Sequence, residues 1–236
     1  MIGRGLEDEG ATISRSGRLT TTIALFALAI AGIVWAVISL LAEPPTVDYT
    51  ANHQAGQPVN VTLQVVGSFG SGDHPTWVSY LVKSPQTNQY VHTTLFTVPA
   101  HTKLNMTIYQ YDSGSPLRNQ QIGQVTGTDG GTATLNGKTF SAINSNVGNG
   151  FGHTFSIPTL GISVPLLGNG PNANLCAAAV CTASSPRNVI RFSFTTPGPG
   201  QYPWQCFVPC ALGWLYGNGG PMQTIGYMDG FMKVVS

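Results

Sequence analysis

Charged residues are scarce in this chain: Asp, Glu, Lys and Arg make up 8% of its 236 residues, and the formal net charge is +1. Residues 43–236 contain only seven Lys or Arg and six Asp or Glu. A protein that binds nucleic acid needs a basic patch on its surface, and so few cations do not supply one. We therefore expect no nucleic-acid partner.

Common enzyme motifs are missing as well. The chain has no GxxxxGK[ST] phosphate loop, no HExxH zinc pair and no GxSxG nucleophile turn. The acidic residues of 43–236 are few and unpaired along the sequence, so no constellation for general acid–base chemistry is evident. The sequence thus gives no indication of a stand-alone catalyst or of a small-molecule substrate.

One long run without charge is present near the N-terminus. Residues 23–42 read IALFALAIAGIVWAVISLLA, and a helix of this length covers the roughly 30 Å of bilayer hydrocarbon. The apolar part of a signal peptide is usually about 7–15 residues long and ends in a small-x-small cleavage site. Here the run is longer, and Leu40-Leu41-Ala42 precedes Glu43. We predict an uncleaved transmembrane helix over residues 21–42.

Arginines on one side of this run predict its orientation. Arg15 and Arg18 directly precede it, whereas Glu43 and Asp48 follow it. Basic residues near a span stay on the cytoplasmic side. We therefore expect a single-pass protein of the cell membrane, with a cytoplasmic tail (1–20), a linker (43–57) and an extracytoplasmic domain (58–236).

The composition of the extracytoplasmic part is typical of short strands joined by turns. Gly, Asn, Thr, Ser, Gln and Pro dominate it, and apolar residues alternate with polar ones over 59–65, 104–108 and 190–194. Asn136-Gly137 between alternating residues predicts a type I′ hairpin. We predict an all-β sandwich or barrel of roughly eight strands, with insertions over 113–150 and 158–188.

Four cysteines, Cys176, Cys181, Cys206 and Cys210, all lie in this part. An even number of cysteines in an oxidising compartment indicates disulfides. A local Cys176–Cys181 bridge is favoured, although four cysteines allow three pairings. A four-cysteine zinc site is disfavoured, because neither pair has the usual two-residue spacing.

Three segments together resemble the cupredoxin fold, and in particular the copper domain of cytochrome c oxidase subunit II. They are LFTVPAHTKLNMTIYQYDSG (95–114), HTF (153–155) and a C-terminal block that runs from FSFTTPGPGQYPWQCFVPC to GYMDGFMKVV. The resemblance implies a cupredoxin-like Greek-key sandwich and copper as the cofactor. It also implies a ligand set of His153, Cys206, Cys210 and Met228. In the oxidase family, two cysteines at this spacing bridge two copper ions.

The ligand types fit the expected chemistry independently of the family. Thiolate and imidazole together suit copper, and a thioether is a weak axial ligand that tunes the reduction potential. The oxidase pattern, however, places a His and a Met where this chain has Trp214 and Gly217, and no His follows His153. The acidic residue between the family's cysteines, which offers a backbone carbonyl, is replaced by Val208.

Three outcomes for the site therefore stay open. Copper is held as a mononuclear centre by His153, Cys206 and Met228, with or without Cys210. Alternatively, metal is lost and the two cysteines are reduced or disulfide-bonded. In the third case, a distant His (His92 or His101) or a partner subunit completes a copper centre.

Two functions correspond to these outcomes. The first is an electron-transfer subunit of a respiratory or redox membrane complex, and the second is a metal-free, disulfide-stapled structural or assembly subunit. Either function requires protein partners in the membrane. The loop Ala211–Ile225, which holds Trp214, Leu215, Tyr216 and Met222, is interpreted either as packing over the end of the domain or as an apolar docking platform.

Overall fold

The computed structural model describes residues 15–41, 44–71, 74–144, 146, 148–170, 173, 181–210 and 219–236. These residues belong to two compact units, one ending at Glu43 and one extending from Pro44 to Ser236. Of the predicted loop 211–225, the residues up to 218 lie outside the described part, as does the cytoplasmic tail before Arg15. Met222 is described, and it is half-buried against the core.

The first unit is one helix, α1, from Arg15 to Leu41. By length and composition it is apolar enough to be a candidate membrane span. Thr20, Thr21 and Thr22 turn their hydroxyls back to the carbonyls four residues earlier, which satisfies these polar groups inside the helix. The predicted apolar helix is confirmed, and it begins six residues earlier than predicted.

The second unit is a β-sandwich whose strands are numbered here in chain order. They are β1 Val47–Asp48, β2 Val59–Ser71, β3 His74–Lys83, β4 Tyr90–Val91, β5 Leu95–Pro99, β6 Lys103–Gln110, β7 Ala133–Leu135, β8 Lys138–Phe140, β9 Phe151–Ile157, β10 Ile162–Leu167, β11 Asn188–Thr195, β12 Gly200–Gln205 and β13 Asp229–Val235. Short 3-10 turns are at Gln120–Gly123, Asp129–Gly131, Pro158–Leu160 and Pro221–Gln223.

Two sheets share these strands. Sheet A has the order β1-β5-β13-β12-β9-β10, and sheet B has the order β4-β3-β2-β6-β11-β7-β8. Three pairs, β1/β5, β5/β13 and β2/β6, are parallel. Parallel neighbours cannot be joined by a tight hairpin, so the chain crosses between the sheets. The predicted all-β sandwich preceded by one helix is confirmed.

The core lies between the inward faces of both sheets and is centred on Trp204. The Tyr80 ring meets the Trp204 ring edge-on with centroids 5.0 Å apart, and the Phe155 ring lies at the same distance. The Trp204 Nε1–H donates to the Thr94 carbonyl at 3.0 Å, so the one polar atom of this buried indole is satisfied. These contacts hold sheet A and sheet B together directly beside the candidate site.

The strand predictions hold where apolar and polar residues alternate. The Asn136-Gly137 turn is also confirmed: both residues have positive φ, 50° and 85°, and Leu135 pairs with Lys138 across it. This hairpin joins sheet B through β7, so the insertion over 113–150 extends the sandwich.

Two predictions about the chain's organisation need correction. The predicted insertion 158–188, for which no strand was predicted, contains the regular strand β10 with Pro165 inside it. Proline is tolerated on an edge strand, where one row of N–H groups has no partner strand, and β10 is at the edge of sheet A. The predicted linker 43–57 contains β1, and Val47 and Tyr49 in this segment are buried. This part of the linker therefore belongs to the domain.

Candidate metal centre

Strands β9 and β12 position the candidate site at one end of sheet A. They pair at a single position, Gln205 with Ser156. Beyond it, the chain leaves β12 as the segment Cys206–Cys210, which passes over His153 and Thr154. The Phe207 amide donates to the Thr154 hydroxyl at 2.8 Å, and the Cys206 amide donates to the Met228 carbonyl at 3.0 Å. These two bonds fix the cysteine segment against β9 and the start of β13.

Three side chains predicted from the sequence come together here. The Cys206 and Cys210 sulfurs are 3.2 Å apart. The Nδ1 of His153 lies 3.0 Å from the Cys210 sulfur and 3.7 Å from the Cys206 sulfur. Among the described residues, this is the one group of three or more His, Cys, Asp or Glu side chains whose ligand atoms converge closely enough to hold a metal ion.

Backbone groups complete the surroundings of the two sulfurs. The Val208 carbonyl oxygen lies 3.0 Å from the Cys210 sulfur and 3.5 Å from the Cys206 sulfur. The Thr154 amide donates to the Cys206 sulfur at 3.4 Å. The replacement of an acidic residue by Val208 therefore leaves a main-chain oxygen between the sulfurs, because every residue carries one.

Asp112 is a fourth side chain at the site, and the sequence analysis did not select it. It follows β6, and its carboxylate accepts the Nε2–H of His153 at 2.9 Å. Its position directly after a predicted strand was the available signal, but the contact joins residues 41 positions apart. A carboxylate on the far nitrogen of a histidine fixes the ring's orientation and tautomer.

The other two histidines weighed as ligands, His92 and His101, are not part of this group. Met228 is buried, its carbonyl accepts the Cys206 amide, and its thioether as an axial ligand stays a prediction. His92 packs edge-on against the Tyr227 ring at 4.7 Å between centroids. His101 occupies a turn with φ of 50°. Neither His92 nor His101 belongs to the convergent group.

Burial and mutual hydrogen bonding determine the charges of the metal-free site. Burial lowers the pKa of His153, but the hydrogen bonds and charges of Asp112 and Cys206 outweigh it and raise this pKa to about 9. Burial raises the pKa of Cys206, but hydrogen bonds from Cys210 and His153 hold it well below its usual value. The hydrogen bond to Cys206 is the largest cause that raises the pKa of Cys210, and burial raises it further. These shifts favour the charged forms of His153 and Cys206 and the protonated form of Cys210 in the metal-free site.

Cysteine pairing differs between the two predicted pairs. Cys206 and Cys210 are free thiols. Cys181 takes part in a disulfide, but its expected partner Cys176 lies outside the described residues, so the local bridge stays a prediction.

This donor set fits copper. Two sulfurs and one imidazole nitrogen are soft to intermediate ligands that suit copper rather than Ca²⁺ or Mg²⁺, which prefer oxygen. The carboxylate behind His153 is the arrangement that metal-binding histidines usually have. Tyr80, whose ring lies 6.3 Å from the His153 ring, closes the site on its inner side.

Comparisons with known proteins find similar structures but no related sequence family. No protein-family model and no curated protein matches the chain. The structure of rusticyanin from Thiobacillus ferrooxidans is similar over 80% of this chain and 82% of its own, at 15% identity and a TM-score of 0.31. Reduced rusticyanin is similar over 80% and 84%, at 16% identity and a TM-score of 0.30. Another of these structures describes rusticyanin as a copper protein. At such low scores, the description of the fold depends on the chain's own strands and their order.

Proposed function

We propose that this protein is a membrane-anchored, extracytoplasmic electron-transfer subunit of a respiratory or redox complex. In this proposal, His153, Cys206 and Cys210 hold copper. The observation that carries it is the convergence of two free sulfurs and one imidazole nitrogen within hydrogen-bonding distance of one another. When bound, copper would supply a one-electron redox couple, and the protein would supply the ligands and their orientation.

Asp112 has a defined part in this proposal. Because the Nε2–H of His153 donates to Asp112, the Nδ1 atom faces both sulfurs. His153 is 2% exposed and Asp112 is 14% exposed, so the bond is largely shielded from water. Asp112 thus acts as a positioning residue that presents Nδ1 as the ligand atom.

Rigid support for the ligands also favours electron transfer. His153 lies within the paired strand β9, and Cys206 follows β12 directly. Side chains on strands are held more precisely than those on free loops. An electron carrier benefits from such a site, because little rearrangement then accompanies the change in redox state.

The membrane part of the proposal is based on α1 and its flanks. The helix is a candidate span, and Arg15 and Arg18 at its beginning favour a cytoplasmic N-terminus. The Cys-x3-Cys spacing and the Met228-Asp229-Gly230 ending support a role like that of oxidase subunit II. A subunit of this kind passes electrons between an external donor and a membrane partner.

A metal-free structural or assembly subunit is the second candidate. The observation in its favour is that the convergent group contains one imidazole, whereas a dinuclear copper centre normally has two. Free thiols at Cys206 and Cys210 do not favour a disulfide between them.

Copper loading distinguishes the two candidates. The full chain, purified in detergent with its thiols reduced, freed of reductant and loaded with Cu(II), should bind copper and show visible absorption from thiolate-to-copper charge transfer. Cys206→Ser and His153→Gln should each abolish the absorption, whereas His53→Gln, which changes a histidine outside the group, should leave it unchanged. A colourless, copper-free protein would refute the electron-transfer proposal.

A further inference from the structure

A second polar site lies on the outer face of sheet B, away from the cysteines. Five neighbouring strands or their flanks each contribute one side chain: Tyr90 (β4), Lys83 (β3), Gln64 (β2), Tyr109 (β6) and Arg187, just before β11. Together with Tyr111 they line a pocket of about 230 Å³. A small apolar cluster of Val66, Leu81 and Tyr111 lies beside it, against which Tyr90 and Tyr109 pack. Two of the tyrosines that line the pocket are therefore held by packing against this cluster.

Two positive charges meet in this pocket without an acid. Residues 43–236 contain only seven Lys or Arg, and both Lys83 and Arg187 line it. No Asp or Glu is among the lining residues. Among the described residues, the one ion pair that involves a lysine or arginine joins Lys103 to Asp129 elsewhere. Partly buried cations are usually paired with an acidic side chain. Because Lys83 and Arg187 lack one in this pocket, a bound anion would pair with them.

Arg187 is held in place but not fully satisfied. Its guanidinium lies over the Tyr109 ring at 4.8 Å from the centroid, and one terminal nitrogen donates to the Ala183 and Ser185 carbonyls. Its Nε is buried and has no hydrogen-bond partner among the described residues. A buried donor without an acceptor costs free energy, so the contacts that hold Arg187 leave one of its polar atoms unmet beside a pocket that contains no acid to compensate its charge.

The tyrosines contribute neutral donors rather than negative charge. Burial raises the pKa of Tyr90 to about 12. Burial also raises the pKa of Tyr111, although Arg187 lowers it in part. Both phenols therefore stay protonated at neutral pH, and the Tyr111 hydroxyl donates to the Thr182 carbonyl at 3.1 Å. The pocket lining thus contains two cations and no anion, beside Gln64, Cys181, Thr182 and Ala183, and charged donors of this kind bind oxyanions.

We propose that this pocket binds a small oxyanion of the carboxylate or phosphate type, with Arg187 and Lys83 as its charge partners. The proposal does not depend on copper, because the pocket shares no residue with the His153, Cys206 and Cys210 group.

Calorimetric titration of the full chain, in a maltoside detergent at constant ionic strength, tests this site. Inorganic phosphate and benzoate are the two probes, and they distinguish a phosphate site from a carboxylate site. We expect saturable binding of at least one of them, weakened about tenfold or more by Arg187→Gln and by Lys83→Gln, since each removes a charge-assisted bond.

Arg191→Gln is the matched control, because Arg191 is an exposed arginine on β11 that does not line this pocket. It should bind the probe as the unchanged protein does. Thermal unfolding of every variant shows whether it is folded. If Arg187→Gln does not fold, Lys83→Gln alone tests the contribution of the positive charge. Absence of saturable binding for both anions overturns the proposal, as does equal weakening in Arg191→Gln.

Discussion

His153 donates its Nε2–H to the Asp112 carboxylate at 2.9 Å and turns its other nitrogen toward the two cysteine sulfurs. This relationship joins the end of β6, in sheet B, to β9, in sheet A. The site thus depends on how the two sheets pack, as well as on the sequence around the cysteines. Changing one part of this arrangement, or the helix α1 that precedes the domain, therefore has a distinct expected effect.

Removing the Asp112 carboxylate should weaken metal binding. Asp112→Ala loses both the charge and the acceptor for Nε2–H, so we expect copper affinity to fall by about 10–100-fold. Asp112→Asn keeps an acceptor oxygen and should lose less. Competition with a Cu(I) chelator measures both. Asp129→Asn, at a surface carboxylate that pairs with Lys103, is the control, and equal losses in all three variants would contradict the positioning role.

The stability of the metal-free, reduced protein should have a plateau between about pH 6.5 and 9. In this window the unfolded chain keeps a proton on the Cys206 thiol and none on His153, whereas the folded site keeps one on His153 and none on Cys206. Equal proton counts give no slope. Below pH 6.5 the unfolded histidine gains a proton, so stability falls. Above pH 9 the folded Cys210 retains a proton that the unfolded chain loses, so stability also falls.

Denaturant unfolding at a series of pH values measures this profile. His153→Gln should remove the lower edge of the plateau, because the unfolded chain then has no histidine at that position to protonate. A steady slope from pH 6.5 to 9 in the unchanged protein would contradict the equal proton counts of the folded and unfolded chains.

Gly152→Ala should disturb the site through packing alone. A Cβ at position 152 would overlap the Gln110 amide nitrogen and the Ser113 carbonyl oxygen, and β9 would have to move next to His153. We expect a loss of roughly 1–3 kcal/mol in the free energy of unfolding, together with weaker copper binding. Gly198→Ala, where the nearest atoms are 3.9 Å away, is the control. Unchanged stability of Gly152→Ala would contradict the close packing.

In the proposed topology, the arginines at the start of α1 keep the N-terminus in the cytoplasm and the domain outside it. A reporter enzyme that is active only outside the cytoplasm, fused after Ser236, should be active in the unchanged chain. Replacing Arg15 and Arg18 by glutamate removes the basic flank and should reduce this activity. Activity of a cytoplasm-only reporter at the same position would contradict the proposed orientation.

Alternation of apolar and polar residues was sufficient to predict most of the sandwich. It identified the segment Leu104–Ile108 because one of its faces is buried and the other is not. It missed β10, since Pro165 interrupts the pattern and only the position at a sheet edge makes proline acceptable. It also missed β1, whose two residues are too few for any periodicity to be visible.

The candidate site was partly predictable for a similar reason. His153, Cys206 and Cys210 belong to residue types whose chemistry is specific, so a motif could select them. Asp112 is one acidic residue among several, and its role arises from packing between sheets, which no local pattern encodes. Gln110 illustrates the same limit: it falls on the inward face of β6, fully buried against Gly152.

Strands β12 and β9 of sheet A pair at one position, directly beside the candidate metal centre. On one side of Gln205 and Ser156 the two strands separate, and the amides of Thr154 and Phe207 bond to side chains of the site rather than to a regular ladder. Such amides can exchange with solvent by local opening, without global unfolding. Hydrogen exchange at these two positions would therefore report the free energy of local opening between β12 and β9, independently of the stability of the whole domain.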